Sequence, residues 1–380
     1  MKITDVTVQT FRYTSNEGRD AEGHGHPSDP HEARMTIMSV TTDQGTSGHS
    51  FGANPAHVAE VVKPNLVGED PFYRERIWHK LYTYQRGNSG VLSDRLLALV
   101  DLALWDIAGQ FFKTPVYKLL GASRDRVLAY GSTMCGDEMP NGLSTPEEYG
   151  RFAEWMVVKR GYKAVKLHTW MPPIKWAPDP KMDVRACAAV REAVGPEVEC
   201  MLDCYHHYSR EDAYYIGKEL QKLNYKWLEE PMDEYSVSSY VWLAQQLEIP
   251  IIGPEYHAGK MQSRAEWIVR GASDITRGGV MDNGGITPLM KIAHLAEAFN
   301  IAMEVHSPGA ANLHVLGAMS HPGQYYERGL LHPFVDYEKP RPWLKSIDDP
   351  MDQDGYVGVP QGPGLGQDID FEYIKANLFR

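Results

Sequence analysis

Tyr225-Lys226-Trp227-Leu228-Glu229-Glu230-Pro231 is an apolar and aromatic run closed by two carboxylates and a proline, the pattern of a buried strand stopped at its C-terminal end. Val198-Glu199-Cys200-Met201-Leu202-Asp203 upstream and Pro250-Ile251-Ile252-Gly253-Pro254-Glu255 downstream have the same form. The terminal acids recur at an interval of 26 residues (229 − 203 and 255 − 229), enough for one strand and the helix that returns from it. In a parallel barrel the loops at the C-terminal strand ends build the site. Three successive strands therefore deliver Asp203, Glu229 and Glu255 to one rim. Anionic oxygens that converge repel unless a cation lies between them, and an all-oxygen donor set suits a hard divalent ion, so we expect Mg2+, one per subunit.

The grain on both sides of this stretch fits a barrel. From Arg126 the pattern alternates strand and helix, with candidate strands at 127–132, 164–168, 198–203, 226–230, 251–255, 274–279, 302–306 and, least distinct, 324–327. About eight such repeats with right-handed crossovers close a parallel sheet. Before Arg126 lie strand-like segments at 2–13, 35–42 and 46–52, then helical periodicity at 56–66, 71–84 and 89–112. The stretch 16–34 is rich in Gly, Asp and Pro and carries His24, His26 and His31; it reads as a polar lid loop, in which His24 and His26 have the look of a metal pair but read rather as solvated loop residues or contacts for a hydroxyl-rich ligand. The division expected is an α+β module over 1–125, a barrel over 126–330 and a Pro/Gly/Asp-rich segment over 331–380 that returns to the first module.

Composition narrows the function. A formal charge of −12 over 380 residues argues against nucleic acid or an acidic membrane surface as partner, though a local cation still permits an anionic small molecule. No apolar run is long enough to span a membrane, and the N-terminus lacks a signal peptide's apolar core, which gives a cytoplasmic expectation. Cys135, Cys187, Cys200 and Cys204 include no CxxC pair, so they read as structural thiols.

Two further rim positions carry imidazoles. Lys166 and His168 are two apart on the second barrel strand and so share a face; the ammonium is expected to keep the imidazole neutral and able to take a proton. His306 ends the seventh strand, and Glu327 falls on the eighth. Proton-transfer groups on two sides of a metal-held carboxylate substrate permit proton removal α to the carboxylate and protonation elsewhere.

These residues bring the chain to a recognisable family. With Leu102-Ala103-Leu104-Trp105-Asp106-Ile107-Ala108-Gly109, Pro115-Val116-Tyr117-Lys118-Leu119-Leu120-Gly121, Trp227-Leu228-Glu229-Glu230-Pro231 and Gly362-Pro363-Gly364-Leu365-Gly366, it resembles the mandelate racemase group of the enolase superfamily over essentially its full length. The resemblance implies an α/β fold: a modified (β/α)7β TIM-type barrel with an N-terminal α+β capping domain. It also implies a homo-oligomer, Mg2+ on Asp203, Glu229 and Glu255, His306 as the seventh-strand histidine, and Glu327 as the eighth-strand acid that hydrogen-bonds the substrate carboxylate. The sequence departs from the family pattern twice. Lys166-Leu167-His168 stands where Lys-x-Lys is common. At the sixth-strand end, Gly278-Gly279 occupies the place of the aspartate that pairs with the histidine; Asp282, three residues later, is a candidate substitute for it and is expected among the substrate-binding residues. Without a carboxylate partner His306 is expected to be less basic and suited to donating a proton. The expected activity is dehydration of an aldonate or aldarate to a 2-keto-3-deoxy acid, either imidazole serving as base. The rivals are a racemase, epimerase or cycloisomerase with the same first step, and a silent sugar-acid-binding barrel.

Overall fold

The computed structural model describes residues 1–21, 23–320 and 323–379. Position 22 of the expected loop and the last residue of the expected C-terminal segment lie outside these. At the N-terminus β1 (Ile3–Arg19), β2 (Gly25–Thr42) and β3 (Ser47–Phe51) form an antiparallel sheet in that order. The stretch 16–34 is therefore not a loop for most of its length: pairing continues through Ser15↔His31, Glu17↔Pro27 and Arg19↔Gly25. Two strands laid side by side satisfy their backbone groups whatever their Gly and Asp content. The register shift between Ser15 and Glu17 is the kind of irregularity that lets proline into a ladder.

The helix Asp94–Phe112 starts at Ser93, whose hydroxyl accepts from the Leu96 amide. Every residue from Leu96 to Gly109 is buried, because the sheet packs on one side and the barrel on the other. Asp101 and Asp106 inside this run are partnered. Asp106 accepts from the amides of His49 and Leu365 at 3.0 Å, so one carboxylate joins the sheet, the helix and the C-terminal segment.

The barrel strands are β4 (Arg126–Thr133), β5 (Ala164–His168), β6 (Glu199–Asp203), β7 (Leu228–Glu229), β8 (Ile251–Ile252), β9 (Ile275–Gly278), β10 (Ala302–Val305) and β11 (Tyr325–Leu331). Each pairs in parallel with the next, and β11 pairs back onto β4. Among the described residues seven helices, from Pro146–Arg160 to Ala310–Ala318, occupy the seven connections; the one helix after β11, Phe371–Ala376, packs on the N-terminal sheet instead, which gives the (β/α)7β order. The eighth strand, indistinct in sequence, spans seven residues here. It was hard to read because its preceding helix, Ala310–Ala318, is buried almost all round and so has no amphipathic stripe.

Period-two alternation stacks the barrel interior in layers. Tyr130, Ala164, Met201, Trp227, Ile252 and Tyr325 make an apolar layer. One step toward the C-terminal rim on the same faces come Lys166, Asp203, Glu229, Arg277 and Glu327, all buried. The segment after Leu331 touches both modules: Trp343, Leu344 and Ile374 pack with Phe11 and Ile37 of the N-terminal sheet, the Arg12 amide donates to Asn377, and Tyr356–Gly358 adds an antiparallel strand to β4 of the barrel. The four cysteines are buried free thiols. No helix among the described residues is long and apolar enough to cross a membrane.

Candidate active site

Register brings the first three residues together. His168 pairs with Asp203, and Asp203 with Glu229, across β5, β6 and β7. Lys166 Nζ donates to Asp203 Oδ2 at 3.2 Å, to both Glu229 oxygens at 3.1 Å and lies 2.8 Å from Glu327 Oε1. Burial and Arg277 push the ammonium toward neutrality, but Glu229 and Glu327 outweigh them and hold its pKa well above the ordinary lysine value. Lys166 is thus a charged cross-link among acids, not an ammonium turned toward His168.

Arg277, which the sequence reading did not single out, is the second cross-link. Its Nε pairs with Glu229 and, at 2.8 Å, with Glu255; its Nη2 is 2.9 Å from Glu327. The signal was present: Arg277 is two residues beyond Ile275 on β9, in the phase that Lys166 has on β5. Glu327 also accepts from the Ser307 amide at 2.8 Å, and Lys166 and Arg277 keep it ionised despite burial.

Asp203, Glu229, Glu255 and Glu327 outnumber the two permanent cations among them, Lys166 and Arg277, so negative charge is in excess in a buried place. Burial, with Asp203 and Glu255 adding to it, pushes the Glu229 carboxyl above its usual range in spite of both cations. The adjacent Glu230, held at φ 28°, has a buried oxygen without a hydrogen-bond partner. A hard divalent cation matches this all-carboxylate set in donor type and in charge.

Two imidazoles flank the acids. His168 Nδ1 lies 2.7 Å from the Thr133 carbonyl; a carbonyl only accepts, so Nδ1 carries the proton. The His168 amide donates to Thr133 Oγ1, and Nε2 points to Asp203 Oδ2 at 2.9 Å. His306 Nδ1 is 2.6 Å from Asp282 Oδ2, and its Nε2 is 3.0 Å from Glu255 Oε1. Burial opposes the imidazolium, but Glu255 and Asp282 win and raise the His306 pKa well above the ordinary histidine value. The expectation of a less basic His306 is corrected, and Asp282 is placed as its partner.

The glycine at the expected aspartate position explains how. A Cβ on Gly279 would lie 2.4 Å from Asp282 Oδ2 and 2.8 Å from the His306 carbonyl. A side chain there would fill the space that the Asp282 carboxylate now occupies. Asn312 ties the two loops together: its Oδ1 accepts from Val280, and its Nδ2 donates to the carbonyls of His306 and Ser307. The turn that follows Asp282 is anchored on the N-terminal module. Trp78 Nε1 donates to the Gly284 carbonyl at 2.8 Å, and Asp101 accepts from the Thr287 amide at 2.9 Å and hydroxyl at 2.6 Å. Gly285, at φ 125°, leaves room for that aspartate.

His24 sits at the tip of the β1–β2 hairpin, buried, with its ring centre 4.4 Å from that of Tyr205. Tyr205 follows the β6 rim, and its ring centre is 5.8 Å from that of His168. His26 is half-buried and turned to Asp20 at 2.9 Å.

Comparison with known proteins accords with this geometry. The family model described as "Mandelate racemase / muconate lactonizing enzyme, N-terminal domain" matches residues 28–121, and "Enolase C-terminal domain-like" matches residues 148–374. The crystal structure of a D-glucarate dehydratase from Agrobacterium tumefaciens complexed with magnesium is 56% identical, covers 100% of both chains and superposes with a TM-score of 0.98. The arabinonate dehydratase of Saccharolobus solfataricus is 30% identical over 97% of this chain and 96% of its own. A D-galactarolactone cycloisomerase of Agrobacterium fabrum is 29% identical over 88% of each.

Proposed function

The chain belongs to the mandelate racemase/muconate lactonizing enzyme family of the enolase superfamily, and from that premise we propose that it is a Mg2+-dependent dehydratase of a sugar acid. The observation that carries the reading is the difference between the imidazoles beside the acid cluster: His168 is backed by a carbonyl and His306 by a carboxylate. Bound Mg2+, held by Asp203, Glu229 and Glu255, would supply the positive charge that makes a proton α to a carboxylate acidic and stabilises the enediolate.

His168, its Nδ1 proton committed to Thr133, presents Nε2 to take the α-proton. His306, kept protonated by Glu255 and Asp282, gives its Nε2 proton to the β-hydroxyl, which leaves as water. The carbon–oxygen bond breaks as the carbon–carbon double bond forms, and the enol left behind tautomerises to the 2-keto-3-deoxy acid. Lys166, Arg277 and Glu327 hold the carboxylates in place. A six-carbon diacid leads the substrate candidates because the relative at 56% identity is named for one.

The test is incubation of the purified protein with Mg2+ and a panel of aldarates and aldonates, with semicarbazide detection of keto acid. Keto product from at least one member is expected. Exchange of the α-proton without keto product would replace dehydration by racemisation or by the cycloisomerase chemistry named for one relative. No exchange with any member would leave a binding barrel.

A further inference from the structure

The hairpin tip contains a cluster that the dehydratase reading does not use. Asp20 Oδ2 lies 3.1 Å from His24 Nδ1 and 2.9 Å from His26 Nε2, and the three ligand atoms all fall within 4.8 Å of one another. In a tetrahedron with bonds of about 2.1 Å, typical of zinc to nitrogen or carboxylate oxygen, the edges are about 3.4 Å. Two of the three edges already approach that length. The donors come from a span of seven residues with the spacing Asp-x3-His-x-His, so little chain must be ordered to bring them together.

The backbone holds them there. The Asp20 amide donates to the His24 carbonyl and the Gly23 amide to the Asp20 carbonyl, both at 3.1 Å. The His24 amide donates to Asp20 Oδ1 at 3.0 Å, which leaves Oδ2 turned to the two rings. His24 is nearly buried and wedged edge-on against Tyr205, so its ring cannot swing away freely.

We propose that Asp20, His24 and His26 form a metal site for a borderline transition ion of the Zn2+ type, distinct from the acids on the barrel rim. Two imidazoles and one carboxylate select such an ion over Mg2+, which takes oxygen donors. Three protein ligands leave a fourth position open to water. The ion would join the end of β1 to the start of β2 at the point where the N-terminal module touches Tyr205, and through it His168. Nothing in this proposal depends on the dehydratase reading, so either can fail alone.

The experiment is a Zn2+ titration of the metal-stripped full chain in excess Mg2+, by competition with a chromogenic chelator, for the wild type, His26→Ala and Asp20→Asn. The wild type is expected to bind one Zn2+ per chain more than either variant does at the same free zinc, with affinity at the tip at least about tenfold weaker in each variant. Equal stoichiometry and affinity in all three would overturn the proposal. Co2+ is the second measurement and guards against loss of binding by local misfolding. The wild type should give the intense visible bands of a four-coordinate centre, absent from His26→Ala. A weak six-coordinate spectrum identical in both proteins would also overturn it.

Discussion

The two imidazoles of the rim stand at nearly equal distances from an acid cluster, yet they are built as opposites. On the β5 side the ring is fixed by Thr133, which offers a neutral carbonyl to Nδ1 and a hydroxyl to the His168 backbone. On the β10 side the ring is gripped between Asp282 and Glu255. Each Nε2 faces one rim carboxylate, Asp203 or Glu255, so the sides differ at Nδ1, where a carbonyl fixes orientation and tautomer without adding charge and the Asp282 carboxylate also stabilises the imidazolium. Orientation is thus set by Thr133 on one side and by Asp282 on the other, and only on the β10 side do the flanking carboxylates visibly favour the imidazolium.

Replacing the rings tests this contrast most severely. Both His168→Asn and His306→Asn are expected to lower the turnover of sugar acid by about 10²–10⁴-fold, but they should differ in solvent-deuterium exchange at the α-carbon. Exchange should vanish in His168→Asn and persist in His306→Asn. The opposite pattern would invert the roles assigned here.

Asp282→Asn makes the two sides more alike. With one of its two carboxylate partners gone, the His306 pKa should fall. The donor role requires the protonated ring, so the alkaline limb of the kcat profile should move to lower pH, and kcat at neutral pH should drop by about 10–100-fold. An unmoved limb would show that Asp282 only positions the ring. Gly279→Asp, which restores an acid at the position usual in the family, should not rescue this variant, because the new side chain collides with the His306 carbonyl. Recovered activity would show that the loop yields more than its contacts suggest.

Thr133→Val removes the hydroxyl from the His168 amide but leaves the carbonyl on Nδ1. The expected effect is a stability loss of about 1 kcal/mol by denaturant titration with little change in the pH profile. A large change in kcat would mean that the hydroxyl does more than hold the backbone.

The smallest effect on chemistry is expected at Asp101, which anchors the turn beyond Asp282. Burial raises its pKa to about 6, against the pull of Thr287 and Arg74. Between the ordinary carboxylate value and about 6 the folded state binds more protons than the unfolded one. Stability should therefore fall as pH rises through this window, by about 3 kcal/mol in total from this group. Asp101→Asn should flatten that slope in thermal or urea unfolding; an unchanged slope would assign the pH dependence to another group.

Much of this was legible because barrel strands announce themselves by apolar runs and barrel rims by what ends them. Asp203, Glu229, Glu255, His168 and His306 were read from strand ends at regular intervals, and the structure sets all five around one cluster. Arg277 was overlooked because a charge inside an apolar strand looks like an interruption until its phase is compared with Lys166. The hairpin was misread because Gly, Asp and Pro suggest a loop, while cross-strand hydrogen bonds do not depend on side-chain polarity. Asp282 was noticed but could not be placed.

The sequence by itself determined the strand order, the closed barrel and the acids on its rim, because period-two polarity and the repeat length are local properties of the chain. Only the tertiary structure decided which partner each imidazole has. That choice depends on whether Asp282 folds back over Gly279, on the Asn312 bridge between two loops, and on the Asp101 and Trp78 contacts from the other module. Those are contacts between residues far apart in the chain, and a pKa responds to the charge a few ångströms away in space, wherever it lies in sequence.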